Sequence, residues 1–213
     1  MFAKFLKGTA LAVVAMGVSV ASQAAFIDFT DSDWQSAISG SNATQGDITL
    51  SANVGYLSFN ANDNSGCLSG QSFHGLSCAG DGIGIYDDEI TEGGIQSITV
   101  TFASAVNLLG VDLLDLFGSE GTGETALLMA AGGVENSFTA TPGNNGVAGG
   151  FWATGFSATG ITSLILYSAD DGFSDYSLAR LEYESAAVPE PASMALLALG
   201  LFGIGVLRRR LAT

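Results

Sequence analysis

The chain has 213 residues and is strongly acidic, with 21 aspartates and glutamates against six lysines and arginines. Residues 25–187 hold 20 of the acids, no lysine and one arginine, Arg180, so their net charge is −19. This balance argues against a nucleic-acid partner, because backbone phosphates are bound through lysine and arginine. The same region holds 24 glycines, roughly twice the usual share, and the chain is 47% apolar. An exported all-β domain has this composition, whereas a disordered chain does not.

Residues 1–24 have the three parts of a secretory signal peptide. Lys4 and Lys7 give a positive start, Thr9–Val20 form an apolar run, and small residues lead to Ala24. The alternative is a permanent membrane anchor, but the run is about 12 residues long and a span needs about 20. We therefore expect cleavage near Ala24 and export of the remainder.

Ten segments of residues 25–187 have the alternation or the β-branched and aromatic content of strands, most clearly residues 96–102. Turns rich in glycine, asparagine and aspartate separate them. The pattern predicts an all-β fold, a two-sheet sandwich of jelly-roll type that forms one acidic domain over residues 25–187. A short helical turn is predicted at residues 33–38, capped by Ser32. The predicted strands are Phe26–Thr30, Ile48–Asn60, Ile83–Tyr86, Gln96–Phe102, Val106–Phe117, Thr125–Ala131, Val134–Ala140, Gly150–Phe156, Ile161–Tyr167 and Tyr176–Tyr183.

The two cysteines, Cys67 and Cys78, are 11 positions apart. In an exported protein such a pair predicts a disulfide. The alternative is a metal site of both cysteines with His74, but structural zinc takes four ligands and an oxidising compartment removes thiolates.

The sequence lacks the residues or motifs that several classes of enzyme require. His74 is the one histidine, inside the predicted disulfide loop, and the chain has no G-x-S-x-G elbow. Neither a phosphate-binding loop nor a dinucleotide-binding motif occurs. We therefore expect a surface histidine and a protein that is not an enzyme.

Carboxylates are the remaining candidates for chemistry, in groups near the start of the domain, around residues 81–89 and before the last strand. Oxygen-rich loops with glycine turns suit Ca²⁺, which takes 6–8 oxygen ligands. The candidate calcium ligands are Asp28, Asp170 and Asp175, because sandwiches of this type often join first and last strands at an ion. The alternatives are solvated loop carboxylates, or a carboxylate pair that hydrolyses glycosides.

Aromatic side chains offer a second kind of binding surface. A sugar-stacking platform is one interpretation, and filling of the sandwich core is the other. The residues concerned are Trp34, Phe151, Trp152, Phe156, Tyr167, Phe173 and Tyr176.

The end of the chain, residues 188–213, has three parts in a fixed order. Pro189, Glu190 and Pro191 come first, an apolar stretch at residues 192–207 follows, and Arg208, Arg209 and Arg210 close it. Sixteen residues span about 24 Å as a helix, slightly less than the thickness of a typical bilayer core. The stretch therefore predicts a transmembrane helix if the arginine side chains snorkel or the membrane thins. The arginines are expected to stay cytoplasmic.

Two prolines keep the preceding motif extended and accessible to an enzyme. An ordinary C-terminal anchor is the alternative.

This tail resembles the PEP-CTERM sorting signal of Gram-negative bacteria, also known as the ice-binding protein C-terminal domain; ice binding is not carried over to residues 25–187. The resemblance implies an exported protein held in the inner membrane until an exosortase, an integral-membrane enzyme, recognises Pro189, Glu190 and Pro191 and processes it. Release or transfer to the cell surface or extracellular matrix follows, typically in bacteria that make exopolysaccharide and biofilm.

Together these features predict an exported, non-catalytic surface or matrix protein that associates with exopolysaccharide, with calcium as a candidate ion. The alternatives are a carbohydrate-binding module and a polysaccharide-degrading enzyme.

Overall fold

The structure is a computed structural model, and its described residues are 24–59, 67, 75–87, 89–91, 95–118, 123–133, 135–141 and 148–186. Twelve strands and one short helix, α1 (Ser32–Ala37), are found in these residues. The cap of α1 is Asp31 and not Ser32, because the Asp31 side chain accepts a hydrogen bond from the Asp33 backbone N–H. The strands are β1 Ala25–Asp28, β2 Ile38–Ser39, β3 Asn42–Gln45, β4 Ile48–Ala52, β5 Leu57–Ser58, β6 Gly84–Ile85, β7 Ser97–Leu114, β8 Thr125–Ala130, β9 Glu135–Thr139, β10 Trp152–Ala153, β11 Ala158–Ser168 and β12 Ser177–Ser185.

All strand pairs are antiparallel, and β7 is the strand around which they are arranged. Along one edge of β7 lie β4 and then β12, and along the other lie β11 and then β10. The remaining strands extend these rows: β3 and β2 beyond β4, β8 and β9 beyond β11, and β1 beyond β12. A separate small sheet pairs β5 with β6.

The 18-residue strand β7 must bend, because short connections tie its two ends together. A straight strand of this length would span about 56 Å. Yet Asn53 bonds Ser97 at one end of β7, and Leu57, four residues on, pairs with Ile85. Ile83 in turn bridges Leu178, beside the other end of β7. The bend folds the two halves of β7 into the two layers of a sandwich.

The sandwich has two structurally different ends. The tail end, at the bend of β7, consists of Ala25, Asp47, Phe102–Val106 and Tyr183–Ser185, and the residue after β12, Ala186, donates its N–H to the Ala105 carbonyl at 3.1 Å. The distal end consists of Asn53–Leu57, Ile83–Asp87 and Tyr176–Leu178. The seven residue-to-residue steps from Leu178 to Ser185 separate the two ends by about 23 Å.

The core lies between the layers and follows the alternation of the strands. Ile98, Val100 and Phe102 point inward, whereas Thr99 and Thr101 point outward. A second, smaller cluster lies beside the disulfide and contains Leu76, Leu114, Phe151 and Ala179.

The predicted all-β, sandwich-like class is confirmed, and so are most strands. The hairpin of β2 and β3 was not predicted, because the sequence Ile38–Gln45 is rich in serine, asparagine and threonine and has no apolar alternation. The two strands predicted at residues 96–102 and 106–117 are one strand, since the backbone pairing continues through the bend.

Candidate functional site

The tail itself falls in residues that the structure does not describe. Pro189, Glu190 and Pro191, the arginines 208–210, the predicted transmembrane segment 192–207 and the first 23 residues of the predicted signal peptide all lie outside the described residues. Within residues 24–186, where they are described, no helix has the length and apolar character to cross a bilayer. What the structure does fix is where the tail leaves the domain: at the tail end, directly after β12.

The disulfide prediction is confirmed: Cys67 and Cys78 are bonded, with their Cα atoms 5.2 Å apart. Both sulfurs are therefore used by the bridge, and the described part of the chain has no free cysteine that a metal could bind. The third member of the zinc alternative, His74, lies outside the described residues. The bridge packs on the second core cluster, so it ties Cys67 and Cys78 to the sandwich.

Buried carboxylates hold the loops of the distal end in place. Asp81 is 1% exposed, and its Oδ1 accepts the backbone N–H of Cys67 at 2.6 Å. Ser177 donates its hydroxyl to the Asp81 carbonyl and faces the Asp115 carboxylate at 3.4 Å. Glu124 accepts the backbone N–H of Phe117. Hydrogen bonds of a carboxylate to backbone N–H groups are among the stronger kinds in proteins, so these acids act as structural acceptors.

Arg180, the one basic residue of the domain, neutralises one of the buried acids. Its Nε lies 2.7 Å from Oδ2 of Asp112, and both side chains are largely shielded from water. The guanidinium carbon also lies 5.9 Å from the ring centre of Phe26, which covers it from outside. The single positive charge is therefore committed to the sandwich and not to a ligand.

The three predicted calcium ligands do not come together, and the described residues include no group of three or more acidic, histidine or cysteine side chains that could hold a metal ion. Asp28 accepts from the Thr30 backbone N–H at 2.9 Å and hydroxyl at 2.5 Å, and from the Ser77 N–H at 2.5 Å. Asp170 is exposed and Asp175 half-buried in the turn before β12. The Asp28 oxygens thus accept hydrogen bonds from Thr30 and Ser77, and calcium binding by Asp28, Asp170 and Asp175 stays a prediction.

In that same turn, Asp171 is the residue with a defined electrostatic role. Burial raises its pKa, but the effect is outweighed by hydrogen bonds from the Ser174 hydroxyl at 2.6 Å and the backbone N–H groups of Phe173 and Ser174. The resulting pKa lies below the usual value of 3.8. The carboxylate therefore stabilises the turn in its charged form.

Most of the aromatic residues considered for a sugar-stacking platform belong to the core. Trp34, Phe151, Phe156 and Tyr176 are all buried. The Tyr176 hydroxyl donates to the Tyr167 carbonyl at 3.0 Å, and burial raises its pKa well above 10.0. The core-filling alternative is the correct one for these four residues.

A different aromatic pair is exposed, at the distal end. Tyr56 and Tyr86 are 51% and 50% exposed, and their ring centres lie 5.3 Å apart with an interplanar angle of 85°. Sequence reasoning missed this pair because the two tyrosines are 30 residues apart. Only the pairing of β5 with β6 brings them together.

The described residues form a small cavity at the tail end, of about 120 Å³. Asp47 and Glu184 line it together with Ala25, Phe102 and Tyr183. Ligand pockets for small molecules usually measure about 300–1,000 Å³. The cavity is smaller than this range.

Comparison with known proteins identifies the class of the chain through its tail. Residues 187–210 match the family model of the PEP-CTERM protein-sorting motif. No curated protein matches the chain, and no solved structure does. The match covers the tail and not the sandwich.

The chain thus carries a PEP-CTERM sorting motif, as its sequence predicted, and is an exported protein that is sorted by an exosortase. Pro189, Glu190 and Pro191 fall inside the matched range, and so do the three arginines at its end.

Proposed function

We propose that this protein is a non-catalytic component of the cell surface or extracellular matrix that associates with exopolysaccharide after exosortase processing. The observation that carries the proposal is the use of the buried carboxylates. Asp81 and Glu124 accept backbone hydrogen bonds, and Asp112 pairs with Arg180. Asp28, which is half-buried, also accepts a backbone N–H. A glycosidase needs two carboxyl groups free to act on a substrate, about 5–9 Å apart. Here the shielded acids serve the fold.

Among the described residues, the tail-end cavity is an acidic site that a polysaccharide-degrading enzyme could use. Asp47 and Glu184 both line it, but about 120 Å³ leaves no room for a polymer chain to pass between them. The cavity also lies beside Ser185, the last residue of β12. Both points favour a binding or structural role over hydrolysis.

The point where the chain leaves the sandwich defines how the domain would be oriented relative to the membrane. A tail that anchors the chain in the inner membrane before processing would hold the tail end towards the bilayer. The distal end, about 23 Å away along β12, would then face the matrix. Glycan contacts are accordingly expected at the distal end.

The test is to express the full chain in a bacterium that has an exosortase, and to fractionate membranes, matrix and medium. We expect the wild-type protein in the exopolysaccharide fraction, and in the medium when polymer synthesis is deleted. The variant with Pro189→Ala, Glu190→Ala and Pro191→Ala should remain in the membrane fraction. As a control, a variant with three alanine substitutions on the surface of the sandwich should be sorted like the wild type. Its substitutions are Asn42→Ala, Thr44→Ala and Ser51→Ala.

The same preparation tests the absence of catalysis. Polymer incubated with the purified protein should keep its size distribution in size-exclusion chromatography. A shift to shorter chains would overturn the non-catalytic proposal. Wild-type protein that reaches the medium whether or not polymer is made would overturn the association with exopolysaccharide.

A further inference from the structure

We propose that Tyr56 and Tyr86 form a carbohydrate-binding site at the distal end that takes an uncharged pyranose ring of a polysaccharide. This inference rests on the proposed association with exopolysaccharide and names the site and the class of sugar. It does not depend on the tail, because both residues belong to the sandwich.

The two rings form a corner that fits a flat, partly apolar ligand. They are nearly perpendicular and in contact, so a ring stacked on one tyrosine is bounded by the other. The C–H face of a pyranose is apolar and weakly positive, which matches the negative face of an aromatic ring. Asp87, exposed next to Tyr86, offers a carboxylate that can accept hydrogen bonds from sugar hydroxyls.

The backbone holds this corner in a conformation that a tyrosine rarely adopts. Tyr86 has a φ of 70°, and its N–H donates to the Tyr56 carbonyl at 3.0 Å. Its ring lies over Gly55, so closely that a Cβ atom at position 55 would be 2.4 Å from the Tyr86 Cζ atom. Strain of this kind persists where the surroundings impose it, and is common at binding sites. Folding alone would be served better by glycine or asparagine at position 86.

The charge of the domain selects among polysaccharides. Residues 25–187 carry a net charge of −19, and Arg180 is paired with Asp112. A polymer of uronic acids would be repelled by this surface, whereas an uncharged polymer would not. The ligand is therefore a neutral sugar, and salt should have little effect on its binding.

The experiment measures binding by affinity electrophoresis of the full chain in a detergent that has no sugar headgroup. The gels contain the host exopolysaccharide, a soluble neutral β-glucan or polygalacturonate. We expect retardation by the host polymer and the β-glucan but not by polygalacturonate. Tyr56→Ala and Tyr86→Asn should each bind about tenfold more weakly, a change equivalent to about 1.4 kcal/mol.

Three further variants separate stacking from folding. Tyr56→Phe and Tyr86→Phe keep the rings and should keep most of the affinity. Phe26→Ala removes another exposed ring, 58% exposed and close to the tail end, and should bind like the wild type. Because asparagine tolerates a positive φ, Tyr86→Asn should unfold at the wild-type temperature or above it while its binding weakens about tenfold.

The outcomes distinguish the site from the proposed function. If the wild type binds the host polymer and the tyrosine variants bind equally well, the site is wrong and the association stands. If the wild type does not bind the host polymer, the association itself fails. Stronger retardation by polygalacturonate overturns the class of sugar. A further outcome is self-association of the wild type in the absence of polymer. If the tyrosine variants lose this self-association but bind polymer as the wild type does, the pair belongs to a protein interface and the site is overturned.

Discussion

The two ends of the sandwich are built by different means. At the tail end, strands continue into one another: β7 passes through its bend, and Ala103 and Ala186 extend the pairing by bonding Asp47 and Ala105. At the distal end, the connections between the layers are short pieces such as β5 and β6, held by a disulfide and by carboxylates. The tail end therefore depends on backbone pairing, and the distal end on individual side chains.

The difference shows where this domain can carry specificity. Strand pairing at the tail end constrains which side chains face outward, because every second residue must fill the core. Loops held by a few side chains have no such constraint, so their outward residues are free to vary. This is the usual division between a rigid scaffold and the loops that bind.

Removal of the disulfide is the strongest way to test this contrast. Cys67→Ala with Cys78→Ala should lower the free energy of unfolding by about 2–3 kcal/mol, since the bridge closes a short loop in the unfolded chain. In hydrogen exchange, amides of residues 75–87 should lose protection while those of β4 keep it. The wild-type protein with reductant should behave in the same way. An equal loss at both ends would show that they are not independent.

Two glycines provide a finer comparison, because both have a positive φ and lie at opposite ends. Gly82 at the distal end has a φ of 104°, and a Cβ atom there would lie 2.6 Å from the Leu178 carbonyl oxygen. Gly46, in the β3–β4 turn next to Asp47, has a φ of 54° and no atom within 4 Å of that position.

We expect Gly46→Ala to cost about 1 kcal/mol through backbone strain alone. Gly82→Ala should cost about 2 kcal/mol more, because overpacking adds to the strain. Urea unfolding of the two variants in parallel measures the difference. Equal costs would mean that the distal backbone yields to the added methyl group.

The turn that contains Asp171 gives the smallest effect, and it depends on pH. Its pKa is lower in the folded state than the usual 3.8, so its contribution to stability is present above that value and is lost as the pH falls through the folded pKa. Wild type and Asp171→Asn should therefore differ in stability at pH 5 and converge below the folded pKa. Since Asp171 is exposed, the difference at pH 5 should be well below that of the other variants. A difference that is the same at pH 5 and pH 2 would contradict this role.

The strands of the core could be predicted from sequence because burial leaves a local pattern. Ile98, Val100 and Phe102 alternate with threonines, and each of them points inward as expected. The disulfide could also be predicted, since an exported chain with two cysteines has one pairing available. The sorting tail is recognisable for a similar reason: its three parts are contiguous.

The distal site could not be predicted, because it depends on contacts between distant residues. Tyr56 and Tyr86 meet only when β5 pairs with β6, and no local pattern records that pairing. The partners of Asp28 could not be predicted for a related reason. The sequence places Asp28 in the first predicted strand. It does not show that the backbone N–H of Ser77, 49 residues away, donates a hydrogen bond to the Asp28 Oδ2 atom.

The pairing of β1 with β12 also places a condition on the order of folding. Ala25 lies opposite Tyr183, so the first strand to be made is completed by the last. The sheet cannot close until nearly all of the domain has been synthesised, and loop closure over such a distance is slow. By then the sorting tail is the next segment to follow. Because β12 ends at Ser185 and the matched motif begins at residue 187, the sheet can close only when the chain is present up to the start of the sorting motif.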